Sequence, residues 1–238
     1  MTVIHVRLSA QDKHTQALQK GNYGKVPAEE LPSVRESLGS DAMYYANFYD
    51  ENYYDGSGKS NYLTYTFESS PFAQHVAAIS RYMRTFGLTG PVLDVGCAKG
   101  YLVYVLRQRG IEAFGVDWSE YALSCANADI QPYLVLASAM QLPFRGQTFS
   151  LAVTHDVLEH LDEPAAEAAL CECARVSRRQ LHQVNTGRLP EWLYEQDESH
   201  VLKLTLPQWR IMAGNLGLHR TTIREPNRGL PVPSPVPG

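Results

Sequence analysis

A short turn with a carboxylate beside it is the first feature of this sequence that can do chemistry. Residues 91–100 read PVLDVGCAKG, in which Asp94 interrupts an apolar run and is followed by Gly96 and Gly100. Glycines permit positive φ angles, so the main chain can approach a ligand closely, and a helix after the turn presents free N–H groups. A buried carboxylate is costly unless a cation or hydrogen-bond donors meet it. Asp94 is therefore a candidate ligand-binding acid; the alternative is an Asp that binds only the amides of its own turn.

A second acid follows at a spacing that suggests the type of ligand. Asp117 ends the apolar run EAFGVD, where a carboxylate can accept hydrogen bonds from both hydroxyls of a ribose. It can also cap the helix that follows it. The turn has Ala98 where a dinucleotide site needs its second glycine, and no GK[ST] follows, so a bound pyrophosphate is disfavoured. Together the two acids and the turn predict a nucleoside ligand without a diphosphate.

Strands and helices alternate along the chain in the way that would place both acids at one edge of a sheet. The predicted helices are residues 70–86 with Gly87 as their stop, GYLVYVLRQRG, WSEYALSCANA, EPAAEAALCECARVS and LPQWRIMAGNLG. The predicted strands are PVLDVG, EAFGVD, YLVLA, FSLAVTHD, QLHQVN and LHRTTI. Such alternation predicts a doubly wound α/β fold with parallel pairing and helices on both faces of the sheet.

Composition divides the chain into three parts. Residues 1–69 form an N-terminal extension in which seven tyrosines fall between Tyr44 and Tyr65, a composition that suggests an irregular layer covering a substrate. Residues 70–225 carry the α/β pattern, and residues 226–238 are a proline-rich tail.

Charge and hydropathy narrow the possible partners. The net charge of −4 and the pI near 6.1 give no general attraction for a phosphate backbone, so no nucleic-acid partner is expected. No apolar run has the length of a membrane span or of a signal-peptide core, which predicts no membrane association and a cytoplasmic location with reduced cysteines.

Four motifs in order resemble those of the class I S-adenosylmethionine-dependent methyltransferases. VLDVGCAKG resembles the first motif of that family, GVDWS its second-strand acidic motif, ASAMQLPF its adenine-flanking segment and FSLAVTHDVLEHL its fourth-strand block. FYDENYYDG is similar to the tyrosine-rich cap of small-molecule members, and SHVLKLTLPQW to a downstream segment. The resemblance implies a Rossmann-like, mostly parallel sheet in a three-layer sandwich, with S-adenosylmethionine as cofactor and S-adenosylhomocysteine as product.

The resemblance also implies roles for individual residues in binding the cofactor. Asp94 receives the methionine ammonium and Asp117 the ribose hydroxyls. The backbone around the methionine part comes from Gly96, Cys97, Ala98 and Gly100. On the adenine side the implied residues are Trp118 and Met140 for the ring faces, the Ala139 amide for a ring nitrogen, and Ser138 in place of the usual Asp, while His155 lies near the sulfonium.

Two histidines are candidate bases, since imidazole has a pKa near neutrality. His155 is nearer to the predicted cofactor, and His160 is a candidate either for catalysis or for packing. A resemblance to the two-acid, two-histidine metal site of some O-methyltransferases is an alternative for this region, with Asp156, Glu159, His160 and His200 as ligands. The Glu-His pair also occurs in metal-free relatives and Asp replaces the first Glu, so a metal is not expected.

The predicted reaction is methyl transfer to oxygen or nitrogen of a small molecule in natural-product or specialised metabolism, with Tyr53, Tyr62 and Tyr65 against the acceptor. Two alternatives stay open: a catalytically silent cofactor-binding protein and a nicotinamide-dependent oxidoreductase.

No seventh strand follows LHRTTI, so the sheet is either truncated at that edge or completed by a neighbour. The chain is therefore expected to be a monomer or a homodimer.

Overall fold

The computed structural model describes residues 4–5, 48–56, 60, 65–67, 72–186 and 199–225. Tyr62 and the proline-rich tail at 226–238 lie outside the described residues. No helix in these ranges is both long and apolar enough to cross a membrane.

The elements follow the predicted alternation. The strands are β1 (Ile4–His5), β2 (Val92–Val95), β3 (Ala113–Asp117), β4 (Leu134–Leu136), β5 (Phe149–His155), β6 (Ser177–Gln183) and β7 (Thr221–Arg224). The helices are α1 (Glu51–Tyr54), α2 (Phe72–Thr85), α3 (Tyr101–Gln108), α4 (Glu120–Ser124), α5 (Glu163–Val176) and α6 (Leu206–Asn215). Short 3-10 turns occupy Gln131–Tyr133 and Leu158–His160.

The described strands form one sheet in the order β1-β4-β3-β2-β5-β6-β7, and each neighbouring pair is parallel. The chain therefore runs outward from β2 through β3 to β4 and then returns to β5 on the other side of β2. In such sheets ligands bind beyond the carboxyl ends of the strands where the order reverses, here between β2 and β5.

Apolar side chains on both faces of the sheet explain the layers. Val92, Val153 and Leu181 pack with α2 and α3 on one face, while Leu93 and Val95 pack with the end of α5 on the other. The two sets alternate along β2 because successive strand residues point to opposite faces. The predicted α/β fold with helices on both faces is confirmed.

Two local predictions were wrong. The helix predicted for WSEYALSCANA is only α4. The second concerns the N-terminal extension, for which the sequence pattern predicted no strand, yet β1 pairs with β4. At the other edge the described residues add no antiparallel strand beyond β7.

Ser119 connects the tyrosine-rich segment to the end of β3 and the start of α4 by hydrogen bonds. Its fully buried hydroxyl donates to the Tyr49 carbonyl (2.6 Å) and accepts from the Ala122 amide (3.0 Å), capping α4. One side chain thus joins the segment at 48–56 to the end of β3.

We expect Ser119→Ala to lower the free energy of unfolding by about 1–3 kcal/mol, because both the cap and the buried carbonyl lose their partner. Urea denaturation measures this. Ser124→Ala is the matched control, since the Ser124 hydroxyl contacts only neighbours in sequence, the Tyr121 carbonyl and Cys125 Sγ, and its loss should cost within about 0.5 kcal/mol. Equal effects of the two substitutions would contradict the assigned role of Ser119.

Candidate functional site

A cleft with about 710 Å³ of empty space lies beyond the carboxyl ends of β2, β3 and β5. The predicted site residues that line it are Tyr53, Tyr65, Gly96, Ala98, Asp117, Trp118, Ser138, Ala139, Met140, His155 and His160. A smaller chamber with about 410 Å³ of empty space contains Asp94 and Cys97. The cleft and the chamber share four lining residues, namely Tyr65, Gly96, His155 and Asp156, so they adjoin at the end of β5.

The turn after β2 adopts the backbone that its glycines predicted. Gly96 has φ +78°, and a Cβ there would lie 2.4 Å from Cγ2 of Val157. Ala98 is also left-handed, with φ +47°, a conformation that costs energy for a residue with a side chain. Its amide donates to Asp117 Oδ2 (2.7 Å), which holds the turn in this shape.

Asp117 connects the turn to the segment after β3. One carboxylate oxygen accepts from the Ala98 amide and the other from the Ser119 amide (2.8 Å). Burial raises its pKa to about 6, although these hydrogen bonds oppose the rise. Each carboxylate oxygen can accept a second hydrogen bond, so Asp117 retains acceptor capacity towards the cleft. The cap of α4 is Ser119, so the alternative role of Asp117 as that cap is wrong.

Asp94 is a buried carboxyl group that receives no hydrogen bond from the described residues. Its side chain is 3% exposed and lines the chamber. Burial, followed by the charge of Asp117, raises its pKa to about 8. The alternative in which Asp94 binds the amides of its own turn is therefore wrong. A cationic ligand group in the chamber would offset the cost of ionising Asp94.

Gly100 lines neither the cleft nor the chamber. It begins α3 with φ +73°, and a Cβ there would lie 2.5 Å from Cδ1 of Ile130. Its position explains why glycine is required, but it places this residue in the framework and not at the cavity wall.

Residues 138–140 follow β4 and line the cleft. Ser138 is buried, and its hydroxyl accepts from the Met140 amide (3.2 Å). One lone pair is therefore used inside the turn, while the hydroxyl proton remains available as a donor. Trp118, which follows β3, also lines the cleft.

Tyrosines from the N-terminal segment form one wall of the cleft. Tyr53 and Tyr54 are buried in α1 and contact each other edge to face at 5.1 Å, and Tyr49 lies 5.7 Å from the Trp118 ring. The Tyr65 amide donates to the Tyr54 carbonyl (2.8 Å). Sequence reasoning named Tyr53 and Tyr65 but missed Tyr49 and Tyr54, which the same aromatic run contains.

An ion pair holds this wall against the glycine turn. Lys99 Nζ lies 3.1 Å from Asp55 Oδ1, and the Tyr121 hydroxyl donates to the other oxygen of Asp55. The Tyr121 hydrogen bond and then Lys99 hold the pKa of Asp55 below its ordinary value. Lys99 is 7% exposed, so the cation is directed to the wall and not to the chamber.

His155 lies at the junction of the cleft and the chamber, where the sequence predicted a base. Neither of its ring nitrogens has a hydrogen-bond partner in the described part of the chain. Its ring stacks on His75 of α2, with centroids 4.1 Å apart. Burial, followed by the charges of His75 and Arg224, lowers the pKa of His155 well below its ordinary value, so the imidazole is neutral.

His160 is engaged in packing, although it lines the cleft. Its Nδ1 lies 2.7 Å from the Ser199 hydroxyl, and its ring meets that of His200 edge to face at 4.4 Å. This environment agrees with the packing role that the sequence left open for His160.

The alternative metal site is not assembled. Asp156 adopts φ +51° before the 3-10 turn Leu158–His160, so it does not share a helix face with Glu159 and His160. Glu159 is directed elsewhere and accepts from the Asn185 amide (2.6 Å). Within the described ranges no three His, Cys, Asp or Glu side chains are arranged to hold a metal ion.

Comparison with known proteins agrees with this geometry. Residues 93–180 match the family model described as "Methyltransferase domain". The matched segment runs from Leu93 in β2 through β5 into β6, and it includes both acids and the glycine turn.

Curated relatives match only part of the chain. The chain is 31% identical over 99 residues to a ubiquinone biosynthesis O-methyltransferase of Azoarcus sp. (strain BH72), covering 39% of this chain and 42% of that protein. It is 30% identical over 98 residues to a protein of the same name from Hahella chejuensis, covering 37% and 38%. The chain thus matches less than half the length of these relatives.

One solved structure shows the same fold. A SAM dependent methyltransferase from Archaeoglobus fulgidus is 20% identical, with a TM-score of 0.50 over 63% of this chain and 70% of that one. At this identity the likeness concerns the fold alone.

Several residues that line the cleft and the chamber were not predicted. Phe72 and His75 come from α2, which sequence analysis treated only as a helix, and Val157 and Leu161 follow β5. His75 lies on the face of α2 that packs on the sheet, among Phe72, Val76 and Ile79. A polar residue on an otherwise apolar helix face is a signal that could have identified it.

We expect Asp94→Asn to stabilise the ligand-free protein at alkaline pH. The folded-state pKa of about 8 lies above the ordinary value of 3.8, so the folded state binds the proton more tightly and the free energy of unfolding falls as pH rises from 4 towards 8. Asn cannot ionise, and it removes this loss.

Thermal unfolding at pH 5 and pH 8 measures the effect. The variant should unfold at a higher temperature than the wild type at pH 8, by a few degrees for a gain of about 1–3 kcal/mol. The difference should shrink at pH 5. A variant that is less stable than the wild type at pH 8 would show that the Asp94 carboxylate has a partner that we have not identified.

Proposed function

We propose that the chain binds S-adenosylmethionine and transfers its methyl group to oxygen or nitrogen of a small molecule. The observation that carries this proposal is Asp94, a buried acid without a donor among the described residues, next to a cleft with Asp117 at its edge. A nucleoside with a cationic end satisfies both acids, and the methyltransferase domain contains both.

The residues present fit this cofactor. Asp117 has acceptor capacity left for ribose hydroxyls, and Asp94 needs a cation such as the methionine ammonium. Trp118 and Met140 supply apolar walls to the cleft on the adenine side. Glycine at position 96 lets Val157 lie close to the turn, because a Cβ there would be 2.4 Å from Cγ2 of Val157.

When bound, S-adenosylmethionine supplies a methyl group on a sulfonium that is already electrophilic. The task of the protein is then to align the acceptor and to exclude water, with proton removal where the nucleophile is a hydroxyl. The tyrosine wall covers the cleft. His155 is the proposed base, because it is neutral, lies at the junction and has unpartnered ring nitrogens in the described chain.

The acceptor is proposed to be an amphipathic small molecule. Four tyrosines line the cleft, and a tyrosine side chain combines an apolar ring with a polar hydroxyl, which suits such a ligand. The two curated relatives are named for O-methylation in ubiquinone biosynthesis, which favours oxygen over nitrogen. Their match covers less than half of each protein, so the acceptor and its pathway are part of the proposal.

Isothermal calorimetry with S-adenosylmethionine and S-adenosylhomocysteine tests cofactor binding. We expect Asp117→Asn to weaken both affinities by about tenfold or more, since it replaces a charged acceptor of hydrogen bonds. Asn keeps one carbonyl oxygen for the turn, and circular dichroism verifies the fold. Asp129→Asn, an exposed acid of the same chain, is the control and should leave both affinities unchanged.

Binding of NADH in place of either ligand would favour the oxidoreductase alternative and refute the proposal. Binding without transfer of a labelled methyl group to any member of a panel of hydroxyl and amine acceptors would favour the silent protein. Unchanged affinity in Asp117→Asn would remove the nucleoside assignment altogether.

A further inference from the structure

His75, Gln183 and Arg224 form a polar group, next to His155, that the proposed reaction does not use. His75 is 7% exposed, lines the chamber with Asp94, and is held face to face with His155. Gln183 lies beside His155 in β6, and Arg224 lies beside Gln183 in β7. The three strand ends thus place a row of polar side chains next to His75.

The Gln183 amide is oriented by its neighbours. Its Oε1 accepts from Arg224 Nη2 (3.2 Å), and a guanidinium has donors only. Its Nε2 therefore points the other way, towards His75 Nε2 at 3.5 Å. A hydrogen bond from Gln183 also lowers the pKa of Asp156, opposing the larger effect of burial, which agrees with an NH₂ group on that side.

This orientation determines the tautomer of His75. A ring nitrogen that faces an NH₂ group must accept, so Nε2 of His75 carries no proton and Nδ1 carries the N–H. Burial, and then the charge of Arg224, lowers the pKa of His75 to about 4, so the ring stays neutral at physiological pH. The other ionisable groups near the pair are Asp94 from β2, Asp156 after β5 and His182 from the opposite face of β6.

The chamber therefore contains one acid that needs a cation and one neutral N–H donor. We propose that His75 donates its Nδ1–H to the carboxylate of the amino-acid end of the ligand, while Asp94 receives the ammonium, and that Gln183 and Arg224 are positioning residues that hold His75 in this tautomer. This inference rests on the proposed function. It makes the chamber a site for a zwitterionic amino-acid group.

Two ligands separate this inference from the proposed function. S-adenosylhomocysteine has the amino-acid end, whereas 5′-methylthioadenosine has the same nucleoside without it. In calorimetry His75→Phe, which keeps a ring to stack on His155, should weaken S-adenosylhomocysteine about tenfold or more and leave methylthioadenosine unchanged. His75→Asn, whose amide can place a donor near the position of Nδ1, should recover part of the loss.

The positioning role has its own readout. In protein labelled with ¹⁵N-histidine, the wild type should show a protonated-type shift at Nδ1 of His75 and an unprotonated-type shift at Nε2. Arg224→Met should mix the two tautomers and weaken S-adenosylhomocysteine less than His75→Phe does. Arg220→Met, at an exposed arginine before β7, should change neither.

The possible outcomes separate the two proposals. Failure of the wild type to bind either nucleoside overturns the proposed function and this inference with it. Normal binding with unchanged affinity in His75→Phe, or an equal loss for both ligands, overturns only the role of His75. A proton on Nε2 of His75 in the wild type overturns the role of Gln183 and Arg224.

Discussion

The burial of two carboxyl groups on adjoining strands is the constraint on which the site depends. Asp94 pairs with Gly115 in the parallel register, and Asp117 lies two residues further along β3. Both have raised pKa values because both are removed from water. The Ala98 and Ser119 amides donate hydrogen bonds to Asp117, and these partly offset the cost of burying its charge. The described chain gives Asp94 no such hydrogen bond. The fold thus contains a buried carboxyl group without a hydrogen bond from the described residues, which is typical of a binding site and unusual in a core.

The same constraint explains why the tyrosine wall is tied to the turn. The Ser119 hydroxyl, Lys99 and Tyr121 all connect the turn region to residues 49–55. A wall that shields the cleft from water strengthens the electrostatic interactions inside it. Lys99 is the cationic residue nearest to Asp94 in sequence. Because Lys99 pairs with Asp55, its charge is directed away from the chamber. In the proposed function the ligand supplies the cation that Asp94 lacks.

The sequence predicted the strands, the helices and the residues after β2 and β3 better than the residues that the N-terminal segment and α2 contribute to the site. Asp94, Asp117 and the glycines follow from spacing, since parallel strands bring their carboxyl ends to one edge. Tyr49 and His75 could not be placed in this way, because their positions depend on how the N-terminal segment and α2 pack on the sheet. The Asp156 backbone shows the same limit: the sequence allowed a metal site shared with Glu159 and His160, and the positive φ of Asp156 was not predictable from the local pattern. Local pattern determines the elements, whereas packing of distant segments determines the walls.

The pairing of strands at one edge of the sheet determines the position of Arg224. β7 pairs directly with β6 in parallel, so Arg224 lies beside Gln183 and Gln183 beside His155. A strand inserted between β6 and β7 would move Arg224 by about 5 Å and remove its contact with the Gln183 amide. The amide would then be free to rotate, and His75 would lose the partner that fixes its tautomer. A feature of topology, the absence of an intervening strand in the described sheet, therefore determines which nitrogen of a histidine on a different element carries a proton.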